Sequence, residues 1–407
     1  MNMAGSIAAV ARPRGDTGDG TRVTSSAGLY LHVPFCAHAC HYCDFARIVE
    51  ERPEVHARYV AALRADLLRV AAAGPQAIAP PGAAVEGEWP TFTSVFVGGG
   101  TPTLLPAEDL AGVLGVARDV LPITADAEVT VEANPETVTV DGMATLVAAG
   151  VERVSMGAQS FAPHVLDFLG RRHDAEAPLR AVEAARCAGV KRVSLDLIYG
   201  APAETDADWE RSLDSALAAG IDHVSAYALT VEPNTEYAAR IRRGSAPAPD
   251  DDVQAARMAT ADERLSAAAF SRYEVSNWAR PGQECRHNLT YWRSGNWLGV
   301  GAGAHGHWAG RRWWSLRAPA RYADVALRGA STTAGEEVLT ADQRRTERLL
   351  LGLRMAEGVV RADVEPIDPG EVDRLTNAGL LADDPPRLRL KPDGWALANA
   401  ITLRLLG

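Results

Sequence analysis

Alternation of short apolar runs with helically spaced stretches constrains the fold of this chain more than any other feature. Runs at 29–33, 94–97, 128–132, 152–156, 192–197 and 223–229 have the length and composition of buried strands. Between them, 55–73, 107–120, 140–148, 179–188 and 206–218 carry apolar residues at three- and four-residue steps, the period of a helix face. Pro106-Ala-Glu-Asp and Asp206-Ala-Asp-Trp put carboxylates where helices begin, a position the helix dipole favours. Repeated βα units predict an α/β fold, a parallel sheet wound by helices with functional residues at the strand C-terminal ends. Six units predict a partial, open (β/α)6 barrel. The 407 residues are too many for one ordinary domain, and 47% hydrophobic content supplies a large core. Residues 74–90, rich in Pro, Gly and Ala, read as an exposed insertion. A further helix over 250–269 and a strand over 271–275 follow the sixth run. From Asp342 onward, short helices and a hairpin around 388–390 predict a small, mainly α, winged-helix-like domain. The expected organisation is a disordered N-terminus over 1–27, the barrel over 28–270, an extension over 271–335 and the small domain over 336–407.

Three of the five cysteines fall within eight residues, Cys36-Ala-His-Ala-Cys40-His-Tyr-Cys43, directly after the first apolar run. The C-x3-C-x2-C spacing lets one loop turn three thiolates onto one face of an iron–sulfur cluster. Clusters of the four-iron type are normally held by four thiolates, and the next position available for one holds Phe45. One iron would then lack a protein ligand, and an open coordination position is where a metal site does chemistry. A disulfide framework does not suit so long a chain with so few cysteines, and zinc would call for a second Cys or His pair that does not follow.

Polar residues recur at the ends of the later strands. Gly98-Gly-Gly-Thr-Pro102 ends the second and exposes bare backbone; Glu132-Ala-Asn-Pro135 ends the third; Gln159, Arg171 and Asp196 follow. Any one of these could be a cap or a rim ion pair, but their recurrence at one rim suits a bulky polar ligand. The net charge, 41 − 52 = −11, opposes binding to nucleic acid or to anionic membranes in general. The first 28 residues lack a signal-peptide layout and no stretch is long enough to span a bilayer, so a cytoplasmic location is expected.

The run Leu29-Tyr-Leu-His-Val-Pro-Phe-Cys36, the cysteine triplet, Gly98–Pro102, Glu132–Pro135 and Gly157-Ala-Gln159 resemble the radical S-adenosylmethionine superfamily. More narrowly, they resemble its anaerobic coproporphyrinogen III oxidase-like family, which includes a haem-chaperone branch. The resemblance implies a partial radical-SAM barrel, a 4Fe–4S cluster on Cys36, Cys40 and Cys43, and S-adenosylmethionine on its free iron. Residues matching the family's cofactor contacts are Tyr30, Gly99, Gly100, Thr101, Glu132, Gln159, Arg171, Asp196 and Ala228. The oxidases of the family carry a C-x3-C-x2-C-x-C pattern and a longer N-terminal segment. Phe45 and the short Gly-, Arg- and Asp-rich start depart from both, while His287-Asn-Leu-Thr-Tyr-Trp292 matches the H-N-x-x-Y-W signature of the chaperone branch. His287 is chemically able to ligate haem iron, and Tyr291 and Trp292 to stack on a macrocycle. The other reading of the same residues is a core histidine among packed aromatics. The resemblance thus implies a haem carrier with haem and haem-accepting, respiratory proteins as partners. It leaves room for a homodimer and for peripheral contact with membrane-bound acceptors. Its alternative is radical decarboxylation of coproporphyrinogen III.

Overall fold

The structure, a computed structural model, describes residues 26–80 and 88–407. The expected disordered N-terminus therefore lies outside the described residues up to 25, and Ser26 and Ala27 already belong to the first strand. Likewise, 81–87 of the expected insertion fall outside them, while Pro75–Ala77 form a short 3-10 turn.

Six parallel strands make the heart of the sheet: β1 (Ser26–Val33), β2 (Thr91–Gly99), β3 (Ile123–Ala133), β4 (Arg153–Gln159), β5 (Arg192–Tyr199) and β6 (His223–Ala228). They pair in sequence order, each parallel to the next. Helices α1 (Pro53–Ala73), α2 (Ala107–Val120), α3 (Val140–Ala148), α4 (Pro163–Leu169), α5 (Ala177–Cys187) and α6 (Asp206–Ala218) connect them. Apolar side chains such as Leu29, Leu31, Val95, Val131, Val154 and Leu195 pack under this helical layer in one core. The six-unit expectation describes this parallel part.

The sheet does not end there. After α7 (Glu236–Arg242) and α8 (Asp251–Ala267), the chain adds the antiparallel pair β7 (Ser271–Glu274) and β8 (Asn277–Ala279) beyond β6. It then crosses to the opposite edge through α9 (Arg286–Trp292) and lays β9 (Asn296–Val300) parallel to β1. Strands β10 (His305–Trp308), β11 (Arg311–Ser315) and β12 (Thr333–Val338) continue outward antiparallel, with α10 (Pro319–Ala326) between the last two. The twelve-stranded order is β12-β11-β10-β9-β1-β2-β3-β4-β5-β6-β8-β7. The extension expected over 271–335 thus serves both edges of the barrel sheet. A separate apolar core, including Leu349, Leu353, Val372, Leu388 and Ile401, holds the C-terminal unit. That unit pairs α11 (Ala341–Gly352), α12 (Pro369–Asn377) and α13 (Ala398–Leu406) with a three-stranded sheet.

Helix α9 closes the N-terminal end of the barrel, and Glu128 of β3 holds it there. This carboxylate is fully buried and meets Arg153 at 3.2 Å and Arg192 at 3.3 Å. It also accepts from the Cys285 thiol at 3.5 Å and the His287 amide at 3.3 Å, fixing the start of α9. Arg153 in turn donates to the carbonyls of Gln283 and Glu284. A charge taken this far from water is tolerated only when paired and hydrogen-bonded on every side. Glu128→Ala leaves the buried Arg153 guanidinium without its carboxylate, whereas Arg192 keeps Glu152, and it loosens α9, so it is expected to destabilise the fold by about 3–5 kcal/mol. Chemical denaturation checks this; wild-type stability in the variant would refute the closing role.

Candidate cofactor site at the barrel mouth

At the opposite end, the cysteine loop is fastened at several points. Phe35–Cys36 pair with Ile48–Val49, the His41 amide donates to the Leu169 carbonyl, and the Tyr237 amide donates to that of His41. Each sulfur then receives one donor from a different direction. Thr101 Oγ1 lies 3.9 Å from Cys36 Sγ, Arg171 Nη1 3.5 Å from Cys40 Sγ, and Arg47 Nε 3.3 Å from Cys43 Sγ. Burial pushes the Cys36 thiol up to about 11, against the opposing effect of Thr101. A metal that takes the thiolate removes this penalty, and hydrogen bonds to cluster sulfurs tune such a site.

The donors are themselves linked. Arg171 Nη2 donates to Asn134 Oδ1 at 2.8 Å and to the Gly157 carbonyl at 2.9 Å; Asn134 Nδ2 donates to Thr101 Oγ1 at 3.1 Å. One chain of hydrogen bonds therefore runs from Cys40 through Arg171, Asn134 and Thr101 to Cys36. Arg171 Nε stays buried beside it without a partner among the described residues. Arg47 and Asn134 were not singled out from the sequence. Arg47 stands four residues past Cys43, and a basic residue so close to a thiolate loop was the available signal.

The glycine run turns out to be required by the protein itself. Gly99 has φ +121°, and a Cβ there would sit 2.5 Å from the His32 ring; at Gly100 it would sit 2.5 Å from the Phe35 carbonyl oxygen. The Gly99 amide donates to Glu132 Oε2 at 2.9 Å. His32, also unselected, spans from Tyr30 Oη at 2.8 Å to the Ala46 carbonyl at 2.8 Å. Because a carbonyl only accepts, Nε2 carries the proton and the Tyr30 hydroxyl donates to Nδ1. Burial holds this imidazole down at about 4, hence neutral.

Glu132, Asp196, Gln159 and Ala228 share the mouth, each partly exposed. Gln159 sits at a register shift in the β4–β5 pairing with φ +62°, a left-handed conformation that costs a non-glycine residue energy and often marks a functional position. Ser155 Oγ donates to Asp196 Oδ1 at 3.0 Å. Burial raises both carboxyls, Glu132 to about 7, with the Asp196 charge adding to it. Two carboxyls close enough for one to raise the other's proton affinity favour a ligand that brings cationic groups or hydroxyl donors.

The H-N-x-x-Y-W residues do not join this rim as an open surface. His287 is fully buried in the barrel floor, with Nδ1 2.9 Å from Ser94 Oγ and Nε2 2.8 Å from Tyr291 Oη. It stacks on Phe96 at 5.3 Å, fills the space left by Gly28, and burial holds it down at about 3. Both ring nitrogens are engaged, so in this arrangement neither is free for iron. His287 and Tyr291 are four residues apart on one helix face, whereas Trp292 is rotated about 100° from Tyr291. The two aromatics therefore do not form one stacking platform. Cys285, two residues before His287, is sealed against Glu128.

Residues 30–216 match the Radical SAM superfamily, spanning the triplet and the rim as far as Asp196, and residues 339–397 match the HemN C-terminal domain. A protein of Mycobacterium tuberculosis named "Heme chaperone HemW" is 46% identical over 385 residues, 93% of this chain and 95% of that protein. The Bacillus subtilis protein of the same name is 32% identical, across 93% and 98%. The chain belongs to the HemW family. Membership of the radical SAM superfamily implies a 4Fe–4S cluster and S-adenosylmethionine, and the three thiols with their separate donors fit that group. Among solved structures, coproporphyrinogen III oxidase (HemN) of Escherichia coli is similar in fold, with TM-score 0.78 and 21% identity over 95% of this chain and 92% of that one.

The Glu132 carboxyl gives a pH signature. A folded-state value near 7 against 4.5 unfolded means that ionising it costs the apoprotein stability as pH rises between those values. Wild type is therefore expected to lose roughly 1–3 kcal/mol relative to Glu132→Gln between about pH 5 and pH 8. Parallel denaturation curves at the two pH values measure it; a constant gap would refute the raised carboxyl.

Proposed function

We propose that this chain is a haem chaperone that binds haem and passes it to acceptor proteins. The observation that carries this is the 46% identity to the M. tuberculosis haem chaperone over nearly the whole of both chains. Phe45 supports it, since the position at which the oxidase pattern places a fourth cysteine holds a phenylalanine. Cys36, Cys40 and Cys43 hold the cluster. Tyr30, Gly99, Gly100, Thr101, Glu132, Gln159, Arg171, Asp196 and Ala228 surround S-adenosylmethionine: the carboxylates take its cationic and hydroxyl groups, and the bare backbone of the glycine strand lies alongside. When bound, the pair supplies a redox-active centre. In this reading the centre sets competence for haem transfer, and haem-accepting respiratory proteins are the partners. The reading places the protein in the cytoplasm; among the described residues no helix is long and apolar enough to cross a membrane.

His287 takes the role of a positioning residue of the barrel floor, with Ser94 and Tyr291 as its partners. His287→Ala leaves these two hydroxyls unpaired and is expected to destabilise by about 1–3 kcal/mol while retaining haem binding.

Anoxic reconstitution followed by haem titration tests the function. A Soret band is expected to develop in wild type, and the cluster absorbance to vanish when all three cysteines are replaced by alanine. The same sample supplied with coproporphyrinogen III, S-adenosylmethionine, a reductant and an electron acceptor is expected to form no protoporphyrinogen. Absence of a Soret band, or accumulation of protoporphyrinogen, would overturn the chaperone assignment.

A further inference from the structure

The concave lining of the barrel does not stop at β1. Residues opposite one another in a sheet project from the same face. Across β10 and β11, His305 stands opposite Trp314 and His307 opposite Arg312. Trp297, opposite His307, packs on Tyr291 of the floor helix at 4.7 Å, which identifies this face as the concave one. His305 therefore lies on the same lining as Tyr30, two strands away, just beyond the turn at 301–304 that leads out of β9.

His305 differs from four of the buried histidines of the protein. His32, His173, His223 and His287 each have both ring nitrogens engaged. The His305 ring makes no hydrogen bond among the described residues and remains partly exposed. Its backbone is fixed, because Trp297 Nε1 donates to its carbonyl at 2.9 Å. Trp314 lies beside the imidazole at 6.0 Å, with the rings 31° apart. Nearby, Arg311 and Arg312 are committed to Glu336, Glu337 and Glu347. Arg317 is exposed, makes no ion pair among the described residues, and reaches only the Asp44 carbonyl of the cluster loop at 3.1 Å. A fixed, unbonded imidazole, an indole alongside it and an uncompensated guanidinium are complementary to a metallomacrocycle that carries carboxylates.

We propose that haem docks on the concave face of strands β10 and β11, with His305 as its axial ligand and Arg317 on a propionate. This rests on the haem-chaperone reading and gives its cargo a place. Trp314, tilted 31° from the imidazole, would flank it and offer an apolar surface to the macrocycle. The site borders the cluster loop without using any residue of the cofactor rim.

Haem titration of the full chain, followed by Soret absorbance and low-temperature magnetic resonance, tests this. His305→Ala is expected to weaken binding about tenfold or more and to abolish the histidine-ligated spectrum, with cluster content and circular dichroism unchanged. His305→Met is expected to restore binding with a changed axial signature, and Arg317→Glu to weaken binding several-fold, most strongly at low salt. His287→Ala is expected to keep the wild-type spectrum. A wild-type spectrum and affinity in His305→Ala would overturn the site while leaving the chaperone reading intact. Failure of the wild type itself to bind haem would overturn both.

Discussion

A single buried carboxylate decides which end of this barrel is open. Glu128 sits with no solvent exposure between two guanidiniums, a thiol and a backbone amide. Satisfying it brings the chain between β8 and β9 across the N-terminal end of the sheet, so α9 becomes a floor. The strand C-terminal ends then remain as the mouth, where a parallel α/β sheet ordinarily carries its ligands. Without Arg153 and Arg192, the same carboxylate would be too costly to bury, and the floor would lose its anchor.

The mouth follows from an equally tight steric constraint. Gly99 and Gly100 lie against His32 and the Phe35 carbonyl, so the glycine strand and the cysteine loop pack backbone to backbone. That contact sets Thr101 beside Cys36, and Asn134 and Arg171 extend the connection to Cys40. The thiols are thus positioned by the barrel strands as well as by their own loop. The E. coli oxidase shares the architecture at 21% identity, a reminder that this scaffold does not by itself choose between chemistries.

Much of this was legible in the sequence, and the failures have a common cause. The alternating pattern disclosed the six parallel units because strand and helix periods are local properties. The cysteine triplet and rim residues were visible because each lies in a short motif. What the sequence concealed were partnerships over long separations, such as Ser94 with His287 across 193 residues. Read locally, His287, Tyr291 and Trp292 look like one aromatic cluster available to a ligand. In the fold, the first two are turned into the floor and the third away from them. Arg47 and Asn134 escaped notice for a related reason: an arginine near a loop and an asparagine before a proline acquire meaning only once β3, α4 and the cysteine loop meet.

The same geometry ties the cofactor rim to the edge strands. His32 bridges Tyr30 of the lining to Ala46 of the cysteine loop, and Arg317 reaches that loop at Asp44 from the chain between β11 and α10. A change in how residues 44–46 sit would therefore be felt on two sides, at Tyr30 inside the barrel and at Arg317 beside His305. Such contacts transmit a difference only if the loop has two arrangements that the cluster distinguishes. The loop's hydrogen bonds converge on sulfur atoms whose charge depends on metal, through Arg47 at Cys43 and Arg171 at Cys40. The contacts at Ala46 and Asp44, by contrast, are made by backbone carbonyls alone. The cluster loop thus touches both regions through the carbonyls of Ala46 and Asp44, without any residue common to the two.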